Sequence, residues 1–246
     1  MDIRESSIVA SYITAFGELV NKAVQSSDAS VREILKFNKE EDWNFVTIAM
    51  DVFEDAHAAI DNFIRFGSSG PTKNSDIGER YLRLYGFLAA AYNQQEAVRE
   101  LHTRMNVPNP KALKKEIDKL EIRTLRHKLA SHSTNYMDGN KKGAFAPTRI
   151  ELQDYTISTY SYSNEEFLSF DLISELKEHF NCMIEALDVL YEKSAKTAFK
   201  GKPKQLSAFN EKLDDLRFER DGGMIMQAAG GGQKIRIAFL PGDHNA

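Results

Sequence analysis

The chain has 246 residues, 42% hydrophobic content, a formal net charge of -4 and one cysteine. That length can bury a sizeable core in one domain with appendages, and the acidic balance excludes coating of duplex nucleic acid by bulk positive charge, leaving room for a local basic site. Cys182 has no internal disulfide partner, "MDIRESSIVASY" has neither the basic start nor the apolar run of a signal peptide, and no apolar stretch approaches the roughly 20 residues that cross a bilayer. These features predict a reducing, cytoplasmic setting and no membrane partner.

Helical periodicity dominates. Ile8, Tyr12, Phe16, Leu19 and Ala23 form a first stripe, and "SVRE" at Ser30–Glu33 matches a capping box. From Asp42, the residues Val46, Met50, Phe53, His57, Ile60 and Ile64 recur at three- and four-residue steps until Gly67 and Pro71 end the pattern. Tyr81, Leu84, Tyr85, Leu88, Ala91, Tyr92, Gln95, Val98, His102 and Met105 mark a second long helix. A third is expected from Asn109, as N-cap, and Pro110, at the first helical position, through to about His132.

The texture then changes. "TRIELQDYTISTYSYSNEEFLSF" is rich in β-branched and aromatic residues with partial alternation, which predicts a β-hairpin at about 148–170. Asp171 can cap a fourth long helix carrying Ile173, Leu176, Phe180, Ile184, Leu187 and Tyr191 on one face. Beyond "GKPK" a further helix is expected, then a strand at Ile235, Ile237 and Phe239. The run Gly230–Gly232 lacks the Gly-Lys-Ser/Thr ending of a phosphate loop and reads as a hairpin turn.

Four amphipathic helices bury their stripes most simply as an antiparallel bundle. The expected architecture is therefore mainly α: a helical addition at 1–41, a bundle at 42–200 with a small β-hairpin insertion, and a C-terminal extension at 201–246.

Polar residues on apolar faces mark the candidate site. Gln95 lies inside a stripe, where an unpaired amide costs on the order of 1–3 kcal/mol, so it needs a partner: another helix, or the groups of "LRHKLASHSTNY" (Leu125–Tyr136). In that stretch Arg126 precedes His132 by six positions. In a straight α-helix the two lie about 120° apart around the axis and about 9 Å along it, flanking the stripe of Ile122, Leu125 and Leu129. Closing both on one phosphate therefore requires either unwinding near "SHSTN" or a second copy of the chain. A cation and an imidazole in the last turns are also what the helix macrodipole and unpaired carbonyls favour without any function. His57 and His102 read as core histidines, and Cys182 as packing. Lys141 and Lys142 sit on a loop where they could contact an RNA backbone, and Tyr155, Tyr160 and Tyr162 read as sheet cover.

"LRHKLASH" at the end of the third helix, with "RYLRLYGFLAAAYNQQEAV" before it, resembles the HEPN superfamily (higher eukaryotes and prokaryotes nucleotide-binding), whose signature is an arginine, a polar residue and a histidine within this spacing. The likeness spans about residues 42–198. It implies a metal-independent endoribonuclease without cofactor, in a toxin or phage-defence setting. It also implies a homodimer with signatures at the interface, RNA as substrate, and an antitoxin or other partner protein. The site residues implied are Arg126 and His132 as catalytic groups with His127 in the polar slot, and Gln95, Lys141 and Lys142 are the further candidates for supporting or RNA-binding roles. Thr134 stands where tyrosine-modified members carry their tyrosine. The competing expectation is a non-catalytic binding or scaffold module of the same bundle.

Overall fold

Helix α1 (Arg4–Gln25) buries Val9, Tyr12, Phe16, Leu19 and Val20, the face its stripe predicts, in the computed structural model, which describes residues 3–73, 76–138, 141–149, 152–162, 164–227 and 234–238. Helix α2 (Val31–Leu35) opens on the expected capping box. The Ser30 hydroxyl accepts from the Glu33 amide at 3.3 Å, and the Glu33 carboxylate accepts from the Ser30 amide at 3.1 Å.

Helices α3 (Asp42–Phe66) and α4 (Ile77–Arg104) run antiparallel. Arg104 meets Asp42 at 2.7 Å near one end of the pair, and Arg83 meets Asn62 at 3.0 Å near the other. Gly67 turns α3 off with φ +61°, a left-handed value at which a Cβ would be strained and would meet Asp154 at 3.0 Å. Asp76 caps α4 by accepting from the Gly78 and Glu79 amides.

The third helix departs from expectation. It is three pieces: α5 (Pro110–Ile117), α6 (Glu121–Leu125) and a π-helical turn (Arg126–Ser131), with extended backbone at Leu120. No glycine or proline breaks it. Ile117, Ile122, Leu125 and Leu129 are all buried, yet in one straight helix Ile117 would lie about 140° from Ile122. The bend at 118–120 lets both isoleucines reach the core. Pro110 opens α5 as expected, but Asn109 has φ +59° and makes no side-chain cap.

Together these pieces descend beside α4, with Arg123 at Gln95 and Arg126 at Tyr92. Helix α7 (Leu172–Ala198) then returns in the direction of α4, since Gln95 meets His179 and His102 meets Ala186. Asp171 caps α7 through the Ile173 amide at 3.0 Å, as the sequence indicates. Chain direction thus alternates through α3, α4, the broken third element and α7. Helix α1 packs on α7, where the Tyr12 hydroxyl donates to Asp188 at 2.9 Å. Arg217 of α8 (Pro203–Arg220) holds the same carboxylate through both oxygens.

Strands β1 (Tyr136–Asp138) and β2 (Lys141–Gly143) pair with each other. The expected hairpin is present as β4 (Thr156–Ser161) and β5 (Glu166–Asp171), and β3 (Phe145–Pro147) adds a third antiparallel strand beside β4. Ile150, Glu151 and Ser163 of the predicted hairpin lie outside the described residues. The Tyr155 hydroxyl donates to the Ile64 carbonyl at 2.7 Å, fixing the sheet to α3. In the C-terminal extension, β6 (Met224–Gln227) pairs with β7 (Lys234–Ile237), and Lys234 and Arg236 bind Asp215 of α8. The glycine run 230–232 and Phe239 lie outside the described residues. The chain is mainly helical with small antiparallel sheets, and no described helix is long and apolar enough to cross a membrane.

Candidate active site

The π-helical turn changes the geometry that a straight helix would give. Its backbone bonds reach five residues rather than four, and the last of them runs from the His132 amide to the His127 carbonyl at 2.7 Å. The wider turn sets the His127 and His132 rings side by side, centroids 6.0 Å apart and planes 25° apart. Arg126 donates through Nη1 to His127 Nδ1 at 3.2 Å. The straight-helix separation of Arg126 and His132 therefore does not apply: the helix departs from α geometry here, and both side chains neighbour His127.

Tyr92 of α4 is the platform under this cluster. The Arg126 guanidinium lies 4.2 Å from its ring centre and that of Arg123 lies 4.6 Å away, while His127 meets the ring edge-on at 5.7 Å. The two arginines nevertheless differ in kind. Arg123 is paired with Glu96 at 2.9 Å and Asp118 at 3.4 Å and donates to Gln95 Oε1 at 3.0 Å. Arg126 has no carboxylate partner among the described residues. Its guanidinium is half-buried and oriented by Tyr92 and His127, with no counter-ion among the described residues. His132 is exposed.

Burial holds His127 below the usual imidazole range, and the neighbouring Arg126, Arg123 and His132 push the same way against a weaker opposing pull from Asp118. His127 is accordingly the neutral imidazole at pH 7. Lys128 lies over the rings of Tyr136 and Phe145 at 5.6 and 5.1 Å, which ties the turn to the sheet. The Phe145 amide donates to the Ser133 carbonyl at 2.7 Å beside it.

Gln95 turns inward. It is fully buried, with its oxygen on Arg123 and its nitrogen on His179 Nδ1 at 3.2 Å, so its partners are structural and it is not presented to RNA. His179 Nε2 donates to Gln94 Oε1 at 2.8 Å, and Gln94 in turn reaches His57 Nδ1 at 3.4 Å. His57 Nε2 faces Ser6 at 3.3 Å, and Ser6 donates to Asp61. His57 and His102 are core histidines, the latter donating to the Ala186 carbonyl at 2.8 Å. Burial raises the Cys182 thiol to about 11, consistent with packing. Lys142 is exposed on β2, and the Lys141 side chain lies outside the described residues.

Tyr92, Arg123 and His179 are the residues that sequence reasoning missed. Arg123 and Arg126 are three apart and so share a helix face, a spacing that could have paired them. Among the described residues no group of three or more His, Cys, Asp or Glu side chains converges to hold a metal ion. No protein-family model matches the chain, and neither a curated protein nor a solved structure does.

Proposed function

We propose that this chain is a metal-independent endoribonuclease of HEPN type. The observation that carries the reading is Arg126: a guanidinium with no carboxylate among the described residues, held on Tyr92 beside two imidazoles at the end of the third bundle element. A phosphodiester supplies the missing negative charge and accepts the fork of donors, and the same contact stabilises charge that grows on the phosphoryl oxygens. His132, exposed one side chain away, exchanges a proton with the 2′-hydroxyl or the departing 5′-oxygen. The products are a 2′,3′-cyclic phosphate and a 5′-hydroxyl.

The proposal retains a homodimer, acting in the cytoplasm in a toxin or phage-defence setting with an antitoxin or other partner protein. Its support is a face of α3 on which Phe45, Ile48 and Val52 are exposed at spacings of three and four, a surface suited to cover by a second copy. The packing of Arg126 onto Tyr92 also suits a non-catalytic scaffold, in which the guanidinium only fastens the third element to α4. Incubation with structured and unstructured RNA in excess chelator separates the two. The ribonuclease cuts, and both Arg126→Ala and His132→Ala abolish the cut; equal background from all three preparations leaves the scaffold.

A further inference from the structure

The imidazole beside Arg126 has a second imidazole stacked next to it, and the surroundings of the two differ. His127 is half-buried, with Tyr92 at its ring edge, Arg126 on Nδ1, Arg123 nearby and Asp118 as an opposing charge. His132 is exposed and stands 6.0 Å away across nearly parallel rings. In an α-helix, residues five apart point about 140° away from each other. The π-helical turn is what makes them neighbours, and such turns recur at functional positions.

The bond from Arg126 also sets the tautomer. Arginine only donates, so His127 Nδ1 carries the lone pair and Nε2 carries the proton. A group that draws the Arg126 guanidinium onto itself uncovers that lone pair at the same place. A phosphodiester bound by Arg126 thus brings its neighbouring ribose hydroxyl to a neutral imidazole nitrogen.

Resting on the ribonuclease reading, we propose that His127 is a second catalytic residue and that His127 and His132 of one chain form the base and acid of RNA cleavage. Neutral His127 takes the proton of the 2′-hydroxyl through Nδ1. The 2′-oxygen forms its bond to phosphorus, the bond from phosphorus to the 5′-oxygen breaks, and protonated His132 delivers a proton to that leaving oxygen. Charge and atoms balance: one imidazole gains the proton that the other loses, and both are reset by exchange with water, to which His132 is open. The substrate class is RNA with a free 2′-hydroxyl at the cut, and a complete acid–base pair lies in each protomer.

The test uses the full-length protein in chelator. The variants are His127→Asn, which keeps a polar side chain without a titrating group, His127→Ala and His132→Ala, with thermal melting to establish that each is folded. Loss of a general base removes about 100-fold or more of kcat. His127→Asn is expected to show that loss with KM changed by less than about threefold, and to lose the acidic limb of the pH–rate profile. Mixing His127→Asn with His132→Ala is expected to restore nothing, because neither chain then holds a complete pair. Full activity in His127→Asn, while His132→Ala is dead, overturns the assignment of His127 and leaves the ribonuclease standing. Activity recovered on mixing overturns the pairing within one chain. Absence of any cleavage by the unaltered protein takes both readings down together.

Discussion

Arg123 Nη1 donates to Gln95 Oε1 across 3.0 Å, and that contact fixes the direction of every hydrogen bond behind it. Arginine has no acceptor, so the Gln95 oxygen faces it and the Gln95 amide nitrogen donates to His179 Nδ1. His179 must then carry its proton on Nε2 and donate to Gln94, which donates to His57 Nδ1, whose Nε2 proton faces Ser6. Ser6 donates to Asp61. The chain crosses the bundle from a cation to an anion with every donor aligned.

The two histidines of this chain, His57 and His179, are therefore neutral and protonated on Nε2. Nitrogen-15 NMR correlation of the imidazole rings in the intact protein reports the tautomer directly. An Nδ1 proton on either His57 or His179 contradicts the ordering.

The same chain makes folding stability fall in acid. Burial, followed by the neighbouring His57, pushes His179 down to about 3, and burial lowers His57 against the opposing Asp61 charge. A histidine near 6.5 when unfolded binds its proton more readily there than in the folded core. The stability held above pH 6.5 is therefore lost as pH falls, toward 3 in the case of His179, by up to about 1.4 kcal/mol per pH unit for that group. Urea titrations at pH 7, 6 and 5 should show the decline, and replacement of His179 by leucine should flatten it. That variant also leaves Gln94 and Gln95 each short of a partner, at a cost of roughly 1–3 kcal/mol apiece. An unchanged slope in His179→Leu refutes the assignment.

Gln95→Leu should destabilise without directly altering the exposed His132. It removes the acceptor from Arg123 and the donor from His179, so a loss of about 2–5 kcal/mol is expected in denaturant unfolding. A change below about 0.5 kcal/mol shows that the buried bonds contribute little.

Much of the fold was legible in the sequence. The stripes of α1, α3, α4 and α7, the capping box at Ser30 and the Asp171 cap all follow from local chemistry and periodicity, and the structure buries most of the residues they mark, with Tyr85 of the α4 stripe left exposed. The third element was not legible. Its residues favour helix throughout, and the bend at 118–120 answers a mismatch in the phase of Ile117 and Ile122 that exists only once the core is assembled. The π-helical turn is subtler still, since one extra backbone residue within a bond moves His127 and His132 onto one side. Gln95 announced its need for a partner. It took three dimensions to show that His179, hidden within the apolar face of α7, and Arg123 supply it.

Ser6, His57 and Asp61 are close together, yet they do not form a nucleophilic triad. The His57 lone pair is on Nδ1 and occupied by Gln94, so no imidazole lone pair faces the Ser6 hydroxyl, whose proton is directed at Asp61. Treatment with an organophosphonate followed by mass spectrometry should leave Ser6 unmodified; covalent labelling at Ser6 contradicts this.

The most direct test of the central claim is the chemistry of the cut ends. A synthetic RNA cleaved in chelator should yield a 2′,3′-cyclic phosphate and a 5′-hydroxyl, and a single 2′-O-methyl group at the cleaved position should block the cut. Products ending in a 3′-hydroxyl and a 5′-phosphate, or cleavage indifferent to the 2′-O-methyl group, contradict a site built from Arg126 and its two imidazoles.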